Sequence, residues 1–219
     1  MATPRSLIFD MDGTLFDSRT AIVPAAMDAF RQVIQESGVD VPLPSEQDVT
    51  GHIGESSRQF YVNITPPALH AHVDRVAELV RAGEKHLIET RKTKLFPGVP
   101  ETLKLLKERG HSIGYYSNSG PGYFYTVLRA HGIFELADAA TCFGETNVSK
   151  AEMVRNLRPS LRGERLAVVG DRAHDIEAAR ANGAIAVGVL YGFALPGELA
   201  RADFRLERFD LLPDVLTEK

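Results

Sequence analysis

The sequence predicts an α/β fold, a doubly wound parallel sheet interrupted by an inserted helical domain, and three observations carry that prediction. Short apolar runs, each closed by a polar residue or a glycine, alternate with amphipathic stretches of helical period, the pattern of βαβ units. After the first such run, about 80 residues pass with helical periodicity and no convincing strand. A chain of 219 residues buries roughly 70% of its unfolded surface on folding, so a substantial core forms without disulfide or metal staples.

The first strand is read at residues 6–9, where Ser6, Leu7, Ile8 and Phe9 precede Asp10. The insert follows. Ile22, Ala26, Phe30 and Val33 share one helical face, and Leu69, Val73, Val76, Val80 and Leu87 share another. Thr65 before Pro66 and Pro67 reads as the start of the second of these helices, because threonine caps and proline suits a first turn. A structureless loop of this length is out of place in a compact domain. Residues 18–95 are therefore read as a helical domain with hinges near 16–19 and 92–96, and residues 1–17 and 96–219 as the α/β core.

Beyond Phe96-Pro97-Gly98 the alternation resumes. Helix 99–109 carries Val99, Leu103 and Leu106, strand 112–116 follows, and helix 124–131 carries Phe124, Val127 and Leu128. Strand 140–143, helix 151–157, strand 166–169, helix 176–181 and strand 184–189 complete the series. Gly110, Gly132 and Gly183 stand just past three of these helices, where a left-handed residue ends a helix.

Composition excludes several functions. A formal charge of −4 leaves no basic footprint for nucleic acid. The single cysteine, Cys142, makes neither an intrachain disulfide nor a zinc set, and reads as a small buried residue on a strand. The longest nearly apolar stretch, residues 184–195, is too short for a membrane span and is broken by Gly188 and Gly192. No basic-then-apolar leader opens the chain. The expectation is a cytoplasmic protein, monomer or homodimer, with a small molecule and no nucleic acid or membrane as its partner.

The strand ends carry the chemistry. Ligands of open parallel sheets bind beyond the carboxyl ends of the strands. The first strand ends in Asp10-Met11-Asp12-Gly13-Thr14, so that Asp10 and Asp12 share one side while Met11 turns into apolar packing. Strand 112–116 runs into Ser117-Asn118-Ser119-Gly120, hydroxyl and amide donors ahead of a helix and suited to an oxyanion. Strand 166–169 runs into Gly170-Asp171, with Asp175 one turn on. Together with Asp10 these make a hard oxygen set of the kind magnesium takes. Lys150 stands at the mouth of another helix. Each feature alone has a plain structural reading, as a turn, a helix cap or a solvated charge. Their order along the chain is what joins them.

Asp10-Met11-Asp12-Gly13-Thr14, Ser117-Asn118, Lys150 and Gly170-Asp171 with Asp175 resemble the four motifs of the haloacid dehalogenase (HAD) superfamily, in its phosphoglycolate-phosphatase-like branch with a helical cap. The resemblance runs over almost the whole chain. It implies a Rossmann-like core and a magnesium-dependent phosphatase that hydrolyses a small phosphorylated metabolite through an aspartyl-phosphate. Asp10 is then the nucleophile and Asp12 the acid and base. Lys150 offsets charge and binds phosphate together with Ser117 and the Asn118 backbone. Mg2+ is held by the Asp10 carboxylate, the Asp12 carbonyl and Asp171, with Asp175 in support. Two departures stand out: Ser117 replaces a frequent threonine and keeps its hydroxyl, and Ala151 follows Lys150 where proline is common.

The presence of Asp12 argues for an oxygen leaving group, since a halide needs no proton; similar dehalogenases lack this residue. Phosphoglycolate is the substrate the branch suggests. A sugar-phosphate mutase of the same cap class, or a catalytically silent binding protein, are the alternatives. Within the cap, residues 51–58 resemble the loop through which relatives touch substrate. His52 and Arg58 are candidates there to meet a carboxylate or sugar hydroxyl, or equally surface residues at a helix start. The aromatic residues around Phe124 read as core, and Arg172 and His174 as charge partners of the flanking aspartates.

Overall fold

The computed structural model describes residues 5–216; the outermost residues of the core span, 1–4 and 217–219, lie outside it. In chain order the strands and helices are β1 (Arg5–Asp10), β2 (Phe16–Asp17), α1 (Arg19–Ser37), α2 (Glu46–Thr50), α3 (Ser57–Ile64), α4 (Val73–Glu89), β3 (Lys94–Leu95) and α5 (Val99–Glu108). They continue with β4 (Ser112–Ser117), α6 (Pro121–Ala130), β5 (Ala139–Cys142), α7 (Phe143–Thr146), α8 (Lys150–Leu157), β6 (Arg165–Gly170), α9 (Ala173–Ala181), β7 (Ile185–Val189), β8 (Phe204–Leu206) and α10 (Leu212–Val215).

Six strands form one parallel sheet in the order β5-β4-β1-β6-β7-β8. The chain winds outward from β1 through β4 to β5, then returns to the other side of β1 at β6. That reversal is the switch point of a doubly wound sheet, and it opens a crevice beyond the carboxyl ends of the neighbouring strands. All six residues of β1 are buried, as a strand covered on both faces requires. Leu7, Phe9 and Met11 pack on one side with Leu103, Tyr115 and Phe124. Ile8 packs on the other with Tyr116, Val154 and Val168.

The insert has its own apolar centre, where Ile22, Ala26, Phe30 and Val33 of α1 meet Val76 and Val80 of α4, with Phe60 and Leu69 among them. Met11 carbonyl accepts from the amides of Thr14, Leu15 and Phe16, which turns the chain sharply out of β1 toward this domain. Gly13 sits at φ 78° in that turn, a conformation that favours glycine.

Several local expectations shift. Thr65 does not start a helix: its hydroxyl donates to Tyr61 carbonyl at the end of α3. A 3-10 turn over Pro67–His72, with Pro67 in its first position, then leads into α4. β2 and β3 pair antiparallel, Phe16 with Leu95 and Asp17 with Lys94, and tie the two ends of the insert together. β5 ends at Cys142, one residue short of the expected strand, because Phe143 opens α7. Helices α6 and α9 each begin three residues earlier than their apolar periodicity suggests. β8 extends the sheet past β7 by three residues.

Candidate active site

β1 delivers Asp10 to the crevice, where the residue is 3% exposed. The second contributor is α8. Ser149 and Glu152 form a reciprocal capping box that fixes the first turn of this helix, and Lys150 is its first residue. Lys150 Nζ donates to Asp10 Oδ1 and to Asp175 Oδ1, both at 2.8 Å. Asp175 lies in the first turn of α9; its Oδ2 accepts from the Arg172 amide at 3.0 Å, and its Oδ1 also accepts from Tyr116 Oη at 2.5 Å. Asp171, at the exit of β6, takes the Phe193 amide on Oδ2 at 2.6 Å, while its Oδ1 is buried without a partner among the described residues.

Glycines make this approach possible. A Cβ on Gly192 would lie 2.4 Å from both Asp171 Cβ and Gly13 carbonyl oxygen, and one on Gly13 would lie 2.1 Å from Asp171 Oδ2.

Asp10, Asp171 and Asp175 each bring one carboxylate oxygen within 4.8 Å of the others. One lysine balances three acids, so the cluster carries excess negative charge. Burial pushes the Asp10 carboxyl well above its ordinary range; Lys150 opposes this and the other two aspartates add to it. Burial and then Asp175 push Asp171 up to about 7. Burial works against the Lys150 charge, yet Asp10 and Asp175 hold its pKa above the usual lysine value. The oxygen-only donor set and the orphaned Asp171 Oδ1 fit a hard divalent cation such as magnesium.

The Asp12 carboxylate is outside that cluster. Its Oδ1 accepts from Tyr123 Oη at 2.8 Å and its Oδ2 from Ser117 Oγ at 3.4 Å. Burial raises its pKa to about 6, with the Tyr123 hydrogen bond opposing. Ser117 ends β4, and its Oγ also donates to Ser119 Oγ at 2.9 Å.

Asp10, Asp12, Ser117, Asn118 and Lys150 line one cleft of about 250 Å³. Its upper wall comes from the insert, through Ile53, Gly54, Phe60, Tyr61, Arg81 and Glu84. Asn118 Nδ2 donates to Gly54 carbonyl at 3.0 Å, and Arg172 reaches from the core to Ile53 carbonyl while pairing with Glu198 at 2.9 Å. His52 and Arg58 are directed elsewhere. His52 Nδ1 is 3.0 Å from Glu55 Oε1, Arg58 is exposed, and neither lines the cleft.

Sequence reasoning missed Tyr116, Tyr123 and Glu84. The two tyrosines sit in apolar runs that read as core, and their phenol partners are 59 and 111 residues away in the chain. Arg172 reads as a partner of the flanking aspartates, yet its guanidinium serves Glu198 and the insert.

Clustered carboxylates and a buried lysine thus meet at the switch point of the sheet, beneath the helical insert. A family model of haloacid dehalogenase-like hydrolases matches residues 4–183, and the chain belongs to that family. A 5'-nucleotidase of Pseudomonas aeruginosa is 32% identical over 201 residues, covering 89% of this chain and 86% of that protein. A phosphoglycolate phosphatase of Aquifex aeolicus is 28% identical over 195 residues, covering 86% of each. Among solved structures, one described as a predicted phosphoglycolate phosphatase from Haemophilus somnus superposes with a TM-score of 0.83 at 22% identity. It covers 98% of this chain and 99% of its own, and it supports the fold. No helix among the described residues is long and apolar enough to cross a membrane.

Proposed function

We propose that the chain is a magnesium-dependent phosphatase that hydrolyses a small phosphate monoester through phospho-Asp10, with residues 18–95 as its cap. The observation that carries this reading is the meeting of Asp10, Asp171, Asp175 and Lys150 in one buried cluster at a cleft shared with Asp12. The cleft's volume, about 250 Å³, is below the ~300–1,000 Å³ of sites that hold drug-sized molecules, which suits a small metabolite. A metabolite substrate and an unpaired, buried Cys142 suit the cytoplasm.

In this reading Asp10 attacks phosphorus, and its new bond to phosphorus forms as the bond to the leaving oxygen breaks. Asp12 gives its proton to that oxygen, then takes one from the water that attacks phospho-Asp10 and releases phosphate. A pKa of about 6 lets Asp12 hold and lose a proton near neutrality. The Lys150 ammonium offsets the repulsion between the Asp10 carboxylate and the incoming phosphate. Ser117 Oγ and the Asn118 amide hold phosphoryl oxygens. Magnesium, held by Asp10, Asp171 and the Asp12 carbonyl with Asp175 in support, would supply Lewis-acid stabilisation of the phosphoryl charge.

The test is phosphate release from p-nitrophenyl phosphate by the purified protein with and without magnesium. Activity that needs the metal and disappears in Asp10→Asn is the expected result. A wild type that releases no phosphate, or an Asp10→Asn variant as active as wild type, overturns the reading.

A further inference from the structure

Helix α4 presents a buried stripe of Val76, Ala77, Val80, Glu84 and Ile88. Four of these are apolar and pack the insert. The fifth is a carboxylate, 5% exposed, which lines the same cleft as Asp10 and Asp12. Among the described residues Glu84 has no hydrogen-bond or ion-pair partner. Burial, with the Asp12 charge adding and Arg81 opposing, raises its pKa to about 8. Its carboxylate oxygens open on the cleft and not into packed side chains, and a helix that needed only to pack would carry an apolar residue here. The cleft is the side from which a partner can come.

We propose that Glu84 recognises the alcohol part of the substrate by accepting a hydrogen bond from a hydroxyl or ammonium group on it, so that the enzyme favours phosphorylated polyols or amino alcohols over phosphorylated carboxylic acids. This rests on the phosphatase reading above and narrows its leaving group. Ile22, Ile53 and Phe60 supply apolar wall that suits a short carbon chain, and Glu84 is the carboxylate that α4 adds to the lining. Arg81 lies one turn earlier on α4 with its guanidinium 5.2 Å from the Tyr61 ring centroid. It is exposed, at the rim. A substrate carboxylate would add a third acid beside Asp12 and Glu84, whose ionisation burial already opposes, whereas an ammonium group would hold Glu84 ionised.

The experiment compares wild type, Glu84→Gln and Glu84→Asp on four probes: glycerol 3-phosphate, phosphoethanolamine, phosphoglycolate and p-nitrophenyl phosphate. Wild type is expected to turn over one of the first two with kcat/KM at least tenfold above that for phosphoglycolate. At least one of Glu84→Gln and Glu84→Asp should cut that ratio at least fivefold, mainly through KM. If the recognised group is ammonium, Glu84→Gln costs phosphoethanolamine most, because glutamine keeps an acceptor but not the charge; if it is hydroxyl, glutamine still accepts and the loss on glycerol 3-phosphate falls to Glu84→Asp, whose carboxylate is withdrawn by one methylene. Should Glu84→Gln fail to fold, Glu84→Asp, which withdraws the carboxylate by one methylene, is expected to raise the same KM. Wild type that prefers phosphoglycolate, or folded variants that leave the ratio within twofold, overturn the assignment of Glu84 while leaving the phosphatase reading intact. Failure of wild type to release phosphate from any probe overturns both.

Discussion

Replacing Lys150 with methionine keeps most of the side-chain volume and removes the one ammonium in the acid cluster. In the folded protein its Nζ lies 2.8 Å from both Asp10 and Asp175, with all three residues buried. Removing one partner of such a buried pair destabilises by about 3–5 kcal/mol, because the other charge is left uncompensated. For a chain of this size each kcal/mol moves the melting temperature by about 2–4 °C, so a fall of about 6–20 °C is expected in metal-free buffer at pH 8. The pH dependence has a definite sign. The folded-state pKa of Lys150 is raised, so its contribution is fully present below the ordinary lysine value and therefore at pH 8. The Asp10 carboxyl is also raised, so acidification lets it bind a proton and shed the uncompensated charge. The penalty should shrink between pH 8 and pH 5. Thermal denaturation followed by circular dichroism in EDTA at both pH values measures it. A variant melting within 2 °C of wild type at pH 8, or one penalised more at pH 5, refutes the account of Lys150 as the counter-charge of the cluster.

Three further outcomes follow from the same charges. Asp171→Asn should raise the metal-free melting temperature at pH 8, since it removes an acid pushed up to about 7 by burial and Asp175. The same variant should lose the stabilisation that magnesium gives wild type, about 2.7 kcal/mol at a hundredfold excess over Kd; differential scanning fluorimetry with and without magnesium reads both. Asp12→Asn should slow alkyl phosphate turnover by about 10²–10⁴. With p-nitrophenyl phosphate, whose leaving group needs no proton, it should give a burst of nitrophenolate close to one per enzyme and then stall as phospho-Asp10; rapid mixing with no burst and an unchanged steady rate contradicts the role. Glu84, facing Asp12 from the core, Arg81 on its own helix and the phenols of Tyr61 and Tyr123, has its folded pKa raised from 4.5 to about 8. Wild type should therefore lose stability from pH 4.5 to pH 8 in a way that Glu84→Gln does not, so a urea midpoint for Glu84→Gln no higher than that of wild type at pH 8 speaks against an unpaired acid there.

The core strands were legible because each one is buried on both faces and reads as a continuous apolar run. β1, β4, β6 and β7 came within a residue or two at each end for that reason. β8 was not legible: Phe204 and Arg205 are incompletely buried, and three residues at a sheet edge offer no period. β2 and β3 exist only through their antiparallel pairing, Phe16 with Leu95 and Asp17 with Lys94, which no local pattern announces. The four motif positions were legible because their residue types recur at successive strand ends. Tyr123 was not, since a tyrosine in an aromatic run signals packing until the fold brings Asp12 to its hydroxyl. Glu84 left a trace that went unread, an acid spaced four residues from both Val80 and Ile88 on an otherwise apolar stripe.

The insert is held to the core largely through its backbone. Among the described residues, both hydrogen bonds from core side chains to the 51–58 loop end on backbone carbonyls, Asn118 on Gly54 and Arg172 on Ile53. A carbonyl is present whatever residue stands there, so the docking of the lid places little demand on the side chains of that loop. The two donors also flank the chemistry: Asn118 follows Ser117 at the end of β4, and Arg172 follows Asp171 at the end of β6. The backbone amide of Arg172 holds Asp175 while its guanidinium holds the insert. The hydrogen bonds that hold the insert and those that hold Asp175 thus draw on the same two strand ends. What remains for the side chains of the insert is the space above Asp12, where Glu84 is the one buried carboxyl they supply among the described residues.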